Sequence, residues 1–337
     1  MYEAYYKLSG KPFHLSPDPR FYFESQGHKR AMSYLRYGLT QNDGFIVITG
    51  GVGTGKTTLV RLLFEQLNQA NIVTAQLVTT HLEKDELLRM IAAAFGLAHE
   101  SSNKAAIIKN LETFFIARAN EGKKALLVID EAQNLPIESL EELRMLSNFQ
   151  FRGRILLQTF LLGQGEFRET LKSNKLEQLR QRILAAYHLE ALQATETTNY
   201  IKHRLARVGW AGNPDLTDRA FSAIFQNTEG VPRKINKFCD RLLLFGCLEE
   251  LHTIDSKQVG EVADELRQEI PLPNSEDERA RSGGIPLPAP TVPTRALISH
   301  PQEIEYVNGL EQRIQILEER IDILERAFRR QLETGRK

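Results

Sequence analysis

The residues Gly50-Gly51-Val52-Gly53-Thr54-Gly55-Lys56-Thr57 have the spacing G-x-x-x-x-G-K-[ST]. Glycines at those positions let main-chain N–H groups curl around an anion with no Cβ in the way. A lysine and a hydroxyl directly after them supply a cation for the β- and γ-phosphates of ATP and a ligand for Mg²⁺. The pattern assigns Gly50, Gly51, Val52, Gly53, Thr54, Gly55, Lys56, Thr57 and Thr58 to nucleotide binding, with Thr57 also on the metal. A second group, Asp130-Glu131, closes the apolar run Ala125-Leu126-Leu127-Val128-Ile129. Acids at such a strand end suit two tasks: Asp130 holds the Mg²⁺ shell, and Glu131 orients and polarises an attacking water. Lone pairs of acids are common on solvated strand ends; the phosphate loop upstream is what gives these two a role.

Three further positions complete the expected chemistry. Gln164 follows the apolar run ending Leu161-Leu162-Gly163, where a polar side chain would sit beside a γ-phosphate; a helix cap or turn is the plainer alternative. Thr159, inside the same run, is the weaker choice of sensor. Arg182, with Arg180 as second choice, stands before the strand-like Ala186-Tyr187-His188-Leu189. From a domain edge such an arginine enters a neighbouring copy's site and stabilises charge developing on the γ-phosphate; otherwise it is a surface arginine in weak ion pairs. Arg233 follows Gly230-Val231-Pro232 at the start of a helix. A cation there touches the nucleotide phosphates and couples the surrounding helices to nucleotide state.

The elements that must place these groups follow from the hydrophobic pattern. Phe45-Ile46-Val47-Ile48 precedes the loop and Leu59-Val60-Arg61-Leu62-Leu63-Phe64 follows it, giving strand, loop, helix. Ile72–Val78 reads as a second strand, Lys124–Glu131 as the acid-bearing strand and Arg154–Leu162 as another. Continuous apolar runs without alternation suit strands covered on both faces, hence a parallel sheet, and ligands bind where such strands end. The 154–162 strand should insert between the acid-bearing strand and the loop strand. Before the sheet, Ala31, Leu35 and Leu39 repeat at helical spacing. The proline-rich lead-in, with Phe13 and Tyr22, either cradles the nucleotide base or simply packs on the core.

From Thr195 onward no strand signal appears, so residues 193–270 read as a small all-helical lid after a nucleotide-binding domain over 1–192. His188, His203 and His252 have no metal-binding spacing. Residues 271–301 are a Pro-rich linker. Beyond it, over 302–334, Val307, Ile314, Ile321 and Phe328 take heptad a positions and Leu310, Leu317 and Leu324 take d. β-branched a with Leu d favours a parallel two-stranded coiled coil; a lone amphipathic helix packed on the same chain is the alternative.

Composition bounds the rest. The 337 residues are 42% hydrophobic, and Lys+Arg and Asp+Glu number 43 each. A neutral chain with no basic, aromatic-studded segment argues against a nucleic-acid partner. Two cysteines, Cys239 and Cys247, exclude a disulfide framework and fit small buried hydrophobes in a reducing compartment. The sequence has no apolar run near the ~20 residues of a membrane span and no secretory leader at its start. The expected location is the cytoplasm, peripheral to the inner membrane at most, through partners.

With these residues assembled, positions 1–268 resemble the AAA+ ATPases of the ExeA type, which serve secretion. The form found with exosortase (PEP-CTERM) and exopolysaccharide loci is the most similar. Carrying the resemblance are Tyr5-Tyr6, Lys11-Pro12-Phe13, Ser16-Pro17-Asp18-Pro19, Gly50 to Thr57, Ile129-Asp130-Glu131-Ala132-Gln133, Leu162-Gly163-Gln164, Gln181-Arg182-Ile183 and Gly230 to Asn236. It implies a five-stranded P-loop domain of the α/β class, with helices on both faces of a parallel sheet, a helical lid, and assembly into a homo-oligomeric ring or chain. It further implies ATP hydrolysis serving envelope polysaccharide or protein secretion. Relatives with a transmembrane helix and a peptidoglycan-binding part differ from this sequence, in which the coiled coil is the expected partner contact. Two other functions share the same core: a DNA-dependent ATPase of the transposition-helper type, and a nucleotide-gated scaffold acting through its tail.

Overall fold

The computed structural model describes residues 1–269 except 17, 42, 68–70, 79–83 and 100–102. The linker 271–301 and the heptad segment 302–334 lie outside the described residues.

The chain opens with a short helix α1 (Tyr2–Tyr5) and an extended segment with one 3-10 turn (Pro19–Phe21), then α2 (Gln26–Gln41). There follow β1 (Phe45–Gly50), α3 (Lys56–Leu67), β2 (Ile72–Val78), α4 (Lys84–Ala94), α5 (Lys104–Asn120) and β3 (Lys124–Asp130). Next come α6 (Ile137–Leu146), β4 (Gln150–Phe151), β5 (Arg154–Ile155), β6 (Leu157–Gly163), α7 (Gly165–Leu171), α8 (Glu177–Arg180) and β7 (Ile183–Leu189). The lid holds α9 (Ala194–Ala206), β8 (Asp215–Leu216), α10 (Asp218–Thr228), α11 (Pro232–Leu248), β9 (Thr253–Ile254) and α12 (Ser256–Glu269).

Five strands form one parallel sheet in the order β2-β3-β6-β1-β7. The pleat sends alternate residues to opposite faces, and both faces are apolar. Phe45, Val47, Leu127, Ile129, Leu157 and Leu161 pack beneath α4, α5 and α6. Ile46, Ile48, Leu126, Val128, Phe160 and Leu162 pack against α2 and α3. This is why the strands read as unbroken apolar runs. As expected, β6 separates the acid-bearing strand from the loop strand.

Three sequence expectations need correction. The strand expected over 154–162 begins at Leu157. Arg152 (φ 52°) and Gly153 (φ 72°) make a tight turn of left-handed residues, so Arg154–Ile155 folds back antiparallel on Gln150–Phe151. The all-helical lid also contains a parallel strand pair, β8 with β9, two residues each and too short to leave a periodic signal. Finally, the N-terminal lead-in packs into the lid: Tyr2, Tyr6, Leu8 and Phe13 are buried in one cluster with Ile201, Leu205, Phe238 and Leu242. Phe13 therefore serves lid packing rather than a base. Cys239 is buried in this cluster and Cys247 is half-buried beside it.

Candidate functional site

β1 delivers the chain to the phosphate loop at Gly50, and α3 starts at Lys56. Two loop glycines are required by backbone and by space. Gly53 has φ +80°, and a Cβ there would stand 2.5 Å from Arg233 Cβ; Gly55 has φ +102°, and a Cβ would stand 2.7 Å from His28 Nε2. The first turn of α11 and the start of α2 thus lean on the loop from two sides. Arg233 N–H donates to Gly53 O at 3.2 Å. His28 Nε2 lies 3.1 Å from Thr54 O and Nδ1 lies 2.7 Å from Ser25 Oγ. A carbonyl only accepts, so Nε2 carries the proton and Nδ1 accepts from the serine hydroxyl. Burial lowers the His28 pKa, which keeps this neutral form.

Lys56 is buried, and its ammonium donates to Gly50 O at 2.8 Å and Gly51 O at 3.0 Å. Burial pushes its pKa down, against the upward pull of Glu131, Asp130 and Glu166. A phosphate oxygen is a stronger acceptor than the two loop carbonyls it now satisfies. The following residue links the loop to the acids: Thr57 Oγ1 donates to Asp130 Oδ2 at 2.8 Å, and Asp130 Oδ1 accepts from Glu131 N–H at 3.0 Å.

Glu131 turns the chain in the left-handed region, with φ 55°, a conformation uncommon for a residue with a Cβ. Its Oε2 accepts from Gln133 Nε2 at 2.6 Å and from Gln164 Nε2 at 3.1 Å. Burial alone would raise its pKa; the two amides and Lys56 outweigh it and leave the carboxyl below its ordinary range. Gln164 heads α7 without a side-chain cap bond, so its amide serves the acid and not the helix. Thr159 is buried inside β6, level with Phe45 at the start of β1 and so near the opposite end of the sheet from the loop.

Above the loop opens a cavity of about 390 Å³. Its floor includes Lys56, Thr57 and Glu131, and Arg233 of α11 enters from the lid. One wall is the lead-in, through His14, Phe21 and Tyr22. That wall is tied to the lid by Arg204, buried, whose Nε donates to Pro12 O at 2.6 Å and whose guanidinium lies 5.0 Å from the Phe21 ring centre.

Arg182 is at the other end of the sheet. Its carbonyl accepts from Phe45 N–H at the start of β1, whereas the loop follows the end of β1. A six-residue strand separates the two by roughly 20 Å, too far for Arg182 to serve its own loop. Its Nη1 is 3.5 Å from Ser147 Oγ, and it lines a second, polar concavity with Arg144, Gln150 and Gln178. Arg180, the second choice, donates from Nη1 to Leu171 O at 2.8 Å and Ser173 O at 2.6 Å. It is spent on holding the turn before α8.

Sequence reasoning assigned no role to Gln133, His28 or Ser25. Gln133 left a weak signal, an amide two residues beyond the key acid. His28 left none, because its partner Thr54 is 26 positions away.

A phosphate loop on one strand and its acid pair on another, with a third strand between them, defines the AAA+ P-loop class. A family model for the AAA domain matches residues 39–171. General secretion pathway protein A of Aeromonas hydrophila is 35% identical over 255 residues, 75% of this chain and 46% of that protein. The ATP-dependent target DNA activator B of Escherichia phage Mu is 28% identical over 141 residues, 42% of this chain and 43% of that one. The ADP form of the Aeropyrum pernix ORC2 protein superposes with a TM-score of 0.57 at 17% identity over 82% of each chain, a likeness of fold. The chain spans less than half the length of these two curated relatives. Over three quarters of its length the chain is similar to an ExeA-type secretion protein, and residues 39–171 match the AAA domain.

Proposed function

We propose that this chain binds ATP with Mg²⁺ and hydrolyses it, and that hydrolysis drives or gates an envelope secretion step, in its finer form exopolysaccharide export. The observation that carries the reading is the continuous link Thr57–Asp130–Glu131, whose two ends, Thr57 and Glu131, line the cavity while Asp130 is buried between them. Thr57 and Asp130 place two hard oxygen donors 2.8 Å apart, a donor set that fits Mg²⁺. Thr57 and Asp130 would hold the ion, which when bound neutralises phosphate charge. Lys56 leaves the loop carbonyls for the phosphates. The main-chain N–H groups of Gly50–Thr58 cradle them, and Arg233 adds a cation from the lid. Glu131, kept ionised, takes a hydrogen bond from the attacking water and aims it; Gln164 stands beside it to register the γ-phosphate. Arg182 of a neighbouring copy completes the charge balance in a ring or chain. We place the protein in the cytoplasm, held at the inner membrane through partners; no helix of the described residues is long and apolar enough to cross a membrane. The segment 302–334 is the proposed coiled-coil contact with a partner or a second copy.

Two variants test the chemistry. Lys56→Ala should abolish tight ATP binding. Glu131→Gln should bind ATP and lose turnover, because only the water-orienting charge is gone. Parental turnover by Glu131→Gln overturns the assignment. A second reading, a DNA-dependent ATPase, is favoured by the likeness to the phage DNA activator. Stimulation of hydrolysis by duplex DNA, falling steeply with salt, would select it over the secretion reading.

A further inference from the structure

We infer that Gln133 is a positioning residue that ties Glu131 to the Gln164 main chain, so that the water-aiming acid holds its place when the γ-phosphate-facing amide changes partner. The inference rests on the ATPase reading and adds a residue to it.

The hydrogen bonds form a closed ring across two elements. Gln164 main-chain N–H donates to Gln133 Oε1 at 2.9 Å. That group can only donate, so it fixes the orientation of the Gln133 amide, with oxygen towards Gln164 and nitrogen elsewhere. The nitrogen then donates to Glu131 Oε2 at 2.6 Å. Gln164 closes the ring with its own Nε2, which reaches the same Glu131 oxygen at 3.1 Å. Glu131 sits past the end of β3 and Gln164 past the end of β6. Gln133 is in the one-turn 3-10 helix Ala132–Asn134 between β3 and α6, and its side chain spans the gap. Both ends of its amide are used, and each on a different strand terminus.

This matters because the Glu131 carboxylate is held by two side-chain amides, from Gln133 and Gln164. Gln164 alone cannot both hold the acid and answer to a γ-phosphate. When its Nε2 turns to a phosphate oxygen, Gln133 Nε2 remains on Glu131 and its Oε1 remains on the Gln164 main chain. The acid keeps its aim while the sensor changes partner.

The test is steady-state ATP hydrolysis and nucleotide binding by the full chain, with Gln133→Met, Gln164→Met and both together. Methionine keeps the length and removes both hydrogen-bonding ends. Gln133→Met should lower kcat by about 10- to 100-fold, with KM and nucleotide affinity within about twofold of the parent. Because one ring is broken either way, the double variant should be little slower than the slower single variant. Overturning results are a Gln133→Met variant with parental kcat, one with raised kcat, or single-variant losses that multiply in full. Misfolding is separated by unchanged nucleotide affinity. If the parent itself does not hydrolyse ATP, the ATPase reading has failed and not this one.

Discussion

At the carboxyl end of the sheet the expected lysine, threonine, acids and glutamine are engaged inside the chain, whereas at the amino end the expected arginine is scarcely engaged. Lys56 is held by Gly50 and Gly51, Thr57 by Asp130, and Glu131 by Gln133 and Gln164. Arg182 meets Ser147 Oγ at 3.5 Å, the outer limit of a hydrogen bond, in a concavity with Arg144 and three glutamines. The first region is built to receive a ligand and exchange partners with it. The second offers a cation outward, on a face where it can do nothing for its own loop. If Arg182 acts in trans as proposed, each end holds half a site and two copies make one whole.

The sharpest way to break this division is at the carboxyl end. Glu131→Gln should remove turnover by a factor on the order of 10³ or more while ATP binding survives; rapid hydrolysis would move the acid's task elsewhere. Next is the amino end. Arg182→Ala should bind ATP normally and hydrolyse it about 10³-fold more slowly if it acts in trans. Mixed with Lys56→Ala, it should regain activity, since one copy brings an intact loop and the other an intact arginine. Absence of recovery in a mixture shown to co-assemble would confine Arg182 to its own chain. Arg180 sharpens the contrast. Arg180→Ala loses two bonds to main-chain carbonyls, so it should cost about 1–3 kcal/mol of stability and little turnover at saturating ATP. Thermal melts beside kcat distinguish the two arginines.

The two regions also differ in how much of them was legible in the sequence. The loop, the acid pair and the buried strands could be read because each is local: a fixed spacing, or an apolar run covered on both faces. The start of β6 was misjudged because Arg152 and Gly153 turn the chain with left-handed residues, and arginine gives no sign of that conformation. The lead-in was grouped with the wrong domain for another reason. Tyr2, Tyr6, Leu8 and Phe13 find their partners in the lid, and Arg204 meets Pro12 across 192 positions. No periodicity within a window reports such a contact. Gln133 escaped for a third reason: its spacing was visible, but which way its amide pointed depended on the backbone of β6.

The smallest expected effect separates the two ends by pH. His28 is buried against the phosphate loop, and among the described residues no histidine lines the concavity around Arg182. Burial holds the His28 pKa below its ordinary value of 6.5, while the bond to Thr54 O and the charges of Glu196 and Glu24 pull the other way. The unfolded chain therefore takes up this proton first as pH falls. Stability is fully present above about 6.5 and declines below it, because protonation favours the unfolded state. Protonated, the ring could no longer accept from Ser25 at Nδ1. His14, His188 and His203 are shifted in the same direction by burial, so the parent alone cannot isolate His28. His28→Gln can, since glutamine keeps a donor for Thr54 O and does not titrate. Between pH 7.5 and 5.5 the parent's Tm should fall further than the variant's, by roughly 2–4 °C for each kcal/mol of difference. Equal slopes would mean that His28 stays neutral in both states or is charged in both, and that the loop's clasp carries no pH dependence of its own.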